Sequence, residues 1–73
     1  MKKFSNVASK ANAIVGVFRD GERLKGKEIV RRLKARGYRV KEENIRMFIY
    51  HHMLYKHLRK EAVQGINYYS LIY

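Results

Sequence analysis

From Asn6 to Phe18 the apolar residues fall at helical spacing. Val7, Ala11, Ile14, Val15 and Phe18 form one stripe, as a helix with one buried side requires. Ser5 or Asn6 can cap its start, and Asp20-Gly21 closes the segment. The next run, Glu22 to Lys25, is charged around a single Leu24 and reads as a connection or a brief strand. Lys27 to Arg36 repeats the helical pattern, with Ile29, Val30 and Leu33 on one side and basic residues, Arg31 among them, over the rest. Gly37 follows, where a left-handed residue commonly ends a helix.

Tyr38-Arg39-Val40 predicts a short turn whose Tyr38 and Val40 tuck beneath the neighbouring helices. A third helix is expected from Lys41 to about Leu54, cored by Ile45, Phe48, Ile49 and Met53. Glu42 and Glu43 fall in its first turn, where the helix dipole favours negative charge, but no Ser, Thr, Asp or Asn stands ready as a cap. After Leu54 the period changes to two. Leu58 to Val63 and Ile66 to Tyr73 read as strands joined by a hairpin turn at Gln64-Gly65. No repeat or linker interrupts the pattern, so residues 1–73 predict a single α+β domain, with 1–5 as a flexible basic lead-in.

Charge narrows what such a domain does. Seventeen Lys and Arg against six Asp and Glu give a formal net charge of +11. The basic residues are spread along the chain, so the folded surface itself attracts polyanions, nucleic acid first among them. A ribosomal or scaffold protein could carry the same charge for solubility alone. No helix pairs a basic face with a wide, uncommitted apolar one, which argues against a membrane surface. Cys is absent, so neither disulfides nor thiolate metal sites are available. No apolar run approaches the roughly 20 residues of a membrane span, and the first residues lack the apolar stretch of a signal peptide. The expected location is the cytoplasm, or a host's cytoplasm if the source is viral.

Gly21 to Glu28, GERLKGKE, fits the first seven letters of a phosphate-binding P-loop. Glu28 stands where a Ser or Thr should hold magnesium. A P-loop enzyme also needs a preceding strand and a parallel sheet with crossovers, which this chain is too short to build. Free N–H groups at the start of the second helix, with Lys25 and Lys27 beside Gly26, still suit a phosphate oxygen.

Other constellations lead nowhere chemical. His51, His52 and His57 do not share a ligand spacing, because adjacent helical residues point about 100° apart. His52 is expected to border the core and His57 to occupy the turn after the third helix. No nucleophile–base–acid set or carboxylate pair stands out, and no cofactor motif is present, so a non-enzyme is expected. The six Tyr raise an RNA-binding alternative. However, Tyr68, Tyr69 and Tyr73 share the last strand with Ile66, Leu71 and Ile72 and with no basic residue. A strand apolar on both faces predicts one face on the core and the other on a partner copy, hence a homodimer.

The order helix, possible strand, helix, helix, strand, strand resembles the winged helix-turn-helix family. Gly37-Tyr38-Arg39-Val40 matches the Gly-Tyr-x-Val found between the second and third helices of similar proteins. Leu58, Gly65 and Tyr69-Ser70-Leu71 match their strand, turn and Tyr-x-Leu strand. The resemblance spans about Asn6 to Tyr73. In size and composition the chain is similar to the small winged-helix regulators of archaea and their viruses.

The resemblance implies a regulator that binds double-stranded DNA, with helix 41–54 in the major groove and hairpin 58–73 as the wing. The residues themselves agree with that role. Opposite the core stripe, the third helix shows Glu43, Asn44, Arg46, Met47, Tyr50, His51 and Leu54. Asn and Arg can pair with adenine and guanine edges, and Tyr50 and His51 can reach phosphate or sugar. Asn44, Arg46, Met47, Tyr50 and His51 are therefore the expected base readers. Lys25, Gly26, Lys27, Arg31, Arg39 and Lys41 are expected on the backbone, and Arg59, Lys60, Gln64 and Asn67 in the wing. Glu42 and Glu43 either cap the helix and point away, or Glu43 accepts from a cytosine amino group. The competing reading is a non-specific nucleic-acid-binding protein that coats DNA or accompanies RNA or the ribosome.

Overall fold

The computed structural model describes residues 4–72 and forms a small α+β domain of three helices and a three-stranded antiparallel sheet. The elements in chain order are α1 (Val7–Val15), β1 (Leu24–Lys25), α2 (Gly26–Ala35), α3 (Glu42–Phe48), β2 (Leu58–Val63) and β3 (Ile66–Leu71). The segment around Leu24 is thus a strand, which the sequence pattern left open. Leu24 pairs with Tyr69 and Lys25 with Tyr68, so β3 is the central strand with β1 on one side and β2 on the other.

Asn6 caps α1, its side-chain oxygen accepting from the Ser9 N–H at 2.8 Å. The helix stops at Val15, short of the expected Phe18. Gly16 is a poor helix former, and after it the bonds tighten, Val17 to Ile14 and Phe18 to Val15, both at 3.2 Å. The tighter turn brings both Val17 and Phe18 into the core. Val7, expected on the buried stripe, is 51% exposed.

The third helix also departs from expectation. After Phe48 it widens into a π-helical turn, Ile49–Met53, closed by the Leu54 N–H donating to the Ile49 carbonyl at 2.7 Å. In a regular helix His52 would follow Ile45 by two turns and share its buried side. The widened turn instead leaves Tyr50, His51 and His52 exposed between buried Ile49 and Met53, and His52 packs on Phe48 with rings 4.8 Å apart. Leu54, expected on the exposed face, is extended and packs against the core. His57 lies exposed in the turn before β2, as expected. Tyr55 adopts a left-handed φ of 64° at this corner.

Ile14, Leu24, Ile29, Leu33, Ile45, Ile49, Met53 and Leu58 are fully buried and unite all three helices with one face of the sheet. The hairpin turn has positive φ at both Gln64 (52°) and Gly65 (77°). That pair of angles matches the twist of the flanking strands, and Gly65 adopts its angle without strain.

The register gives β3 two unlike faces. Tyr69 and Leu71 face the helices. The other face carries Tyr68, Ser70 and Ile66, with Arg59, Glu61 and Val63 beside them on β2. This outer face is not uniformly apolar, as the sequence suggested. Arg23 and Glu61 form an ion pair across it at 2.9 Å, and the Lys25 ammonium lies 6.0 Å from the Tyr68 ring centroid. Tyr73, assigned to the last strand, lies outside the described residues.

Candidate nucleic-acid interface

Helix α3 lies with Ile45 buried and its opposite side open. Met47 and Tyr50 are 59% and 66% exposed, unusual for large apolar side chains. The Tyr50 and His51 rings meet edge-on at 5.2 Å. These residues, with Glu43 and Arg46, form one wall of a cleft of about 490 Å³. Its other wall is the hairpin, through Lys60, Asn67 and Tyr69. Arg46, Met47, Tyr50, His51, Lys60 and Asn67 are therefore brought together around one cleft.

A second cleft opens beside the first, with Arg46 and Asn67 common to both, and runs to the start of α2. Lys25, Gly26 and Lys27 line it, as does Gly65 of the hairpin turn. Glu28, the residue that spoils the P-loop pattern, has a structural task here. Its carboxylate accepts from the Lys25 N–H at 3.1 Å and so satisfies the residue that precedes the helix. Gly26 is buried directly beneath Arg46.

The free chain holds Arg46 in a particular way. Its guanidinium donates to Glu42 at 3.3 Å, one turn back on the same helix. Both partners are about half exposed, so the pair is worth well under about 1 kcal/mol and yields readily to a competing acceptor. Glu42 thus faces Arg46, and Glu43 lines the cleft between α3 and the hairpin. Tyr69 lies 6% exposed under the same cleft. Burial pushes its phenol above the usual tyrosine range, while the nearby Arg46 charge pulls the other way.

The remaining expected contacts separate. Arg39, Lys41 and Asn44 line a different groove on the far flank of α3, together with Tyr38 and Phe4. Asn44 is therefore apart from Arg46 and Tyr50. Arg31 sits with Lys27 and Lys34 of α2 in a shallow depression that Glu42 of α3 also lines. Arg59 and Lys60 occupy opposite faces of the hairpin, because neighbouring strand residues alternate. Lys60 faces the cleft, and Arg59 lies on the outer face beside Ser70. Gln64 stands exposed at the hairpin tip.

Two features of this surface were not legible in the sequence. Arg32 reads as one more surface cation, yet it donates to both carboxylate oxygens of Glu22 (2.7 Å to Oε2) and to the Val17 carbonyl at 2.9 Å. It fixes the connection after α1 onto α2. Glu22 is held at a pKa of about 2 by Arg32 and by the Arg19 backbone N–H. The second feature is the position of Phe4, which stacks on Tyr38 at 4.5 Å although it belongs to the expected flexible lead-in.

Among the described residues no group of three or more His, Cys, Asp or Glu is placed to hold a metal ion, and no helix is long and apolar enough to cross a membrane. No protein-family model, curated protein or solved structure matches the chain.

Proposed function

We propose that the chain is a winged helix-turn-helix protein that binds double-stranded DNA sequence-specifically and regulates transcription by occupancy rather than catalysis. One observation carries this reading. The exposed side of α3, with Arg46, Met47, Tyr50 and His51, shares a cleft with Lys60 and Asn67 of the hairpin on a chain of net charge +11. A helix about 10–12 Å across with its side chains matches a major groove about 12 Å wide. In this reading α3 enters the groove, Arg46 leaves Glu42 for a guanine edge, and Met47 offers its apolar stem to a thymine methyl. Lys25, Lys27 and the first N–H groups of α2 meet phosphate on one side, with Lys60 and Asn67 of the wing beside them.

Two copies on a two-fold site would double the base contacts of so small a reader. Both edges of β3 are occupied where it pairs with β1 and β2. A dimer therefore uses the side of α1 around exposed Val7, or the outer sheet face around Tyr68. A second reading, a non-specific binder of single-stranded nucleic acid, is favoured by Lys25 standing over Tyr68 on that outer face.

Fluorescence anisotropy with labelled duplex DNA and single-stranded RNA separates the two readings. Tighter binding to some duplexes than to others, and to duplex over RNA, supports the regulator. Preference for single strands, abolished by Tyr68→Ala, supports the alternative.

A further inference from the structure

Among the described residues, Glu43 is the one carboxylate that lines the cleft between α3 and the hairpin, where it stands with Arg46, His51 and Lys60. Most other acidic side chains of the domain are bonded within it. Glu22 holds Arg32, Glu28 the Lys25 N–H, Glu42 holds Arg46 and Glu61 holds Arg23. Among the described residues Glu43 has no such partner, although Arg46 and Lys60 share its cleft. Nor does it cap α3, because no side-chain hydrogen bond caps that helix. The two adjacent acids of α3 therefore separate. Glu42 turns to Arg46 and lines the cleft with Lys25 and Lys27, whereas Glu43 lines the cleft with Lys60 and Tyr50.

An exposed, unpaired carboxylate on a surface of net charge +11 works against binding of any polyanion, since it repels phosphate. It shares its side of the helix with Arg46 three residues on and Met47 four on. An ionised carboxylate can only accept. In the major groove guanine shows two acceptors, and thymine an acceptor and a methyl group. Adenine shows an amino donor beside an acceptor nitrogen. Cytosine alone presents an amino donor with no acceptor of its own next to it.

We propose that Glu43 is a specificity-determining residue that accepts from a cytosine amino group. The preferred duplex then carries a cytosine within one base step of the guanine that Arg46 meets. This rests on the reading of α3 as a major-groove helix. Three residues advance a helix by about 4.5 Å and one base step advances a strand by about 3.4 Å, so Glu43 and Arg46 reach the same or neighbouring base pairs. The same carboxylate repels the acceptor edges of guanine and thymine and the phosphates of a misplaced duplex. Glu43 thus weakens wrong contacts as well as supplying a right one.

The test begins with sites selected from random duplex DNA by the parent, Glu43→Ala, Glu43→Gln and Arg46→Ala. The parent motif is expected to hold a cytosine that Glu43→Ala loses. Glu43→Gln should replace it with adenine, because a glutamine amide pairs with the adenine amino group and its neighbouring ring nitrogen. Exchanging that cytosine for 2-pyrimidinone, which lacks the amino group, should weaken the parent about fivefold or more and leave Glu43→Ala nearly unchanged. Asp20→Asn removes the same charge from an exposed turn and should leave the motif unaltered. A cytosine retained by Glu43→Ala, in a motif that Arg46→Ala relaxes, would overturn the role of Glu43 and leave the DNA reading standing. So would a parent motif with no cytosine beside the position that Arg46→Ala relaxes. Equal changes from Asp20→Asn would trace the effect to net charge and overturn it as well. A parent that selects no motif overturns the DNA reading and the role of Glu43 together.

Discussion

Arg46 lies so close over Gly26 that a Cβ added to the glycine would stand 3.0 Å from the arginine Cγ and 3.2 Å from its Cδ. The first residue of α2 is thus the seat of the central side chain of α3, with the Tyr69 ring 4.0 Å away on the third side. A glycine in a phosphate-loop-like sequence here serves a different end. Its missing side chain lets an arginine stem cross one helix start and aim its guanidinium outward.

Gly26→Ala should therefore separate stability from recognition. The contact falls on the arginine stem near its root, so the stem must give by a few tenths of an ångström and the aim of the guanidinium shifts with it. Alanine gains about 1 kcal/mol over glycine in a helix interior and less at a first residue such as Gly26, offsetting part of the strain. The expected result is a folding stability within about 1 kcal/mol of the parent and, on the proposed DNA reading, discrimination reduced toward that of Arg46→Ala. Thermal melts paired with binding to preferred and scrambled duplexes check it. A variant that melts normally and discriminates normally would show that the position of Arg46 does not matter.

The Glu22–Arg32 pair makes a pH prediction. The folded-state pKa of Glu22 is lowered to about 2 from 4.5, so the unfolded chain binds a proton first as pH falls. Its stabilisation is complete above pH 4.5 and is lost progressively between there and pH 2. Glu22→Gln should therefore melt lower than the parent at pH 7, and the gap should close as pH approaches 2. Melting curves across that range decide it. A gap independent of pH would mean that the pair is not formed in solution.

The two neighbouring cations of the hairpin should behave differently. Lys60 faces the cleft between α3 and the hairpin, whereas Arg59 lies on the outer face of the sheet. On the proposed DNA reading, Lys60→Ala should weaken all duplexes and lower the log–log salt slope by roughly one unit, as loss of one phosphate contact does. Arg59→Ala should leave both nearly unchanged. Equal effects from the two substitutions would place DNA on neither face in particular.

That difference shows what the sequence could and could not convey. Periodicity located all three helices and the hairpin because burial imposes it residue by residue: Ile29, Val30 and Leu33 in α2, and Ile45, Ile49 and Met53 in the third helix, are all buried. The alternation that separates Arg59 from Lys60 is equally legible, but which of the two faces meets α3 is set by the packing of the hairpin. The strand at Leu24 was not decidable, because two residues carry no period and its pairing with Tyr69 is set by tertiary contact. The π-helical turn was invisible for a related reason. Ile49 and Met53 suit a regular helix as well as a widened one, and the residues that differ are His52, displaced onto Phe48, and Leu54, turned onto the core. The placement of Asn44 away from Arg46 and the stacking of Phe4 on Tyr38 depend on how segments distant in sequence meet. No local pattern encodes that.

The convergence of Arg46, Met47 and Tyr50 on one cleft leads to the last prediction, which concerns sequence preference. On the DNA reading these side chains confront base edges while Lys25, Lys27 and Lys60 confront phosphate. Loss of a bidentate base contact should cost about 1–3 kcal/mol of discrimination, confined to one or two base positions. Preferred sites should therefore be selected from random duplex DNA with the parent, Arg46→Ala, Asn44→Ala and Lys60→Ala. Arg46→Ala is expected to relax the motif at one or two positions, and Lys60→Ala to preserve it while weakening binding. Asn44→Ala distinguishes the two flanks of α3. Its side chain lines the far groove with Tyr38 and Lys41, so the selected motif should survive its loss. A motif untouched by Arg46→Ala would mean that α3 does not enter the groove, leaving a basic protein that coats nucleic acid without reading it.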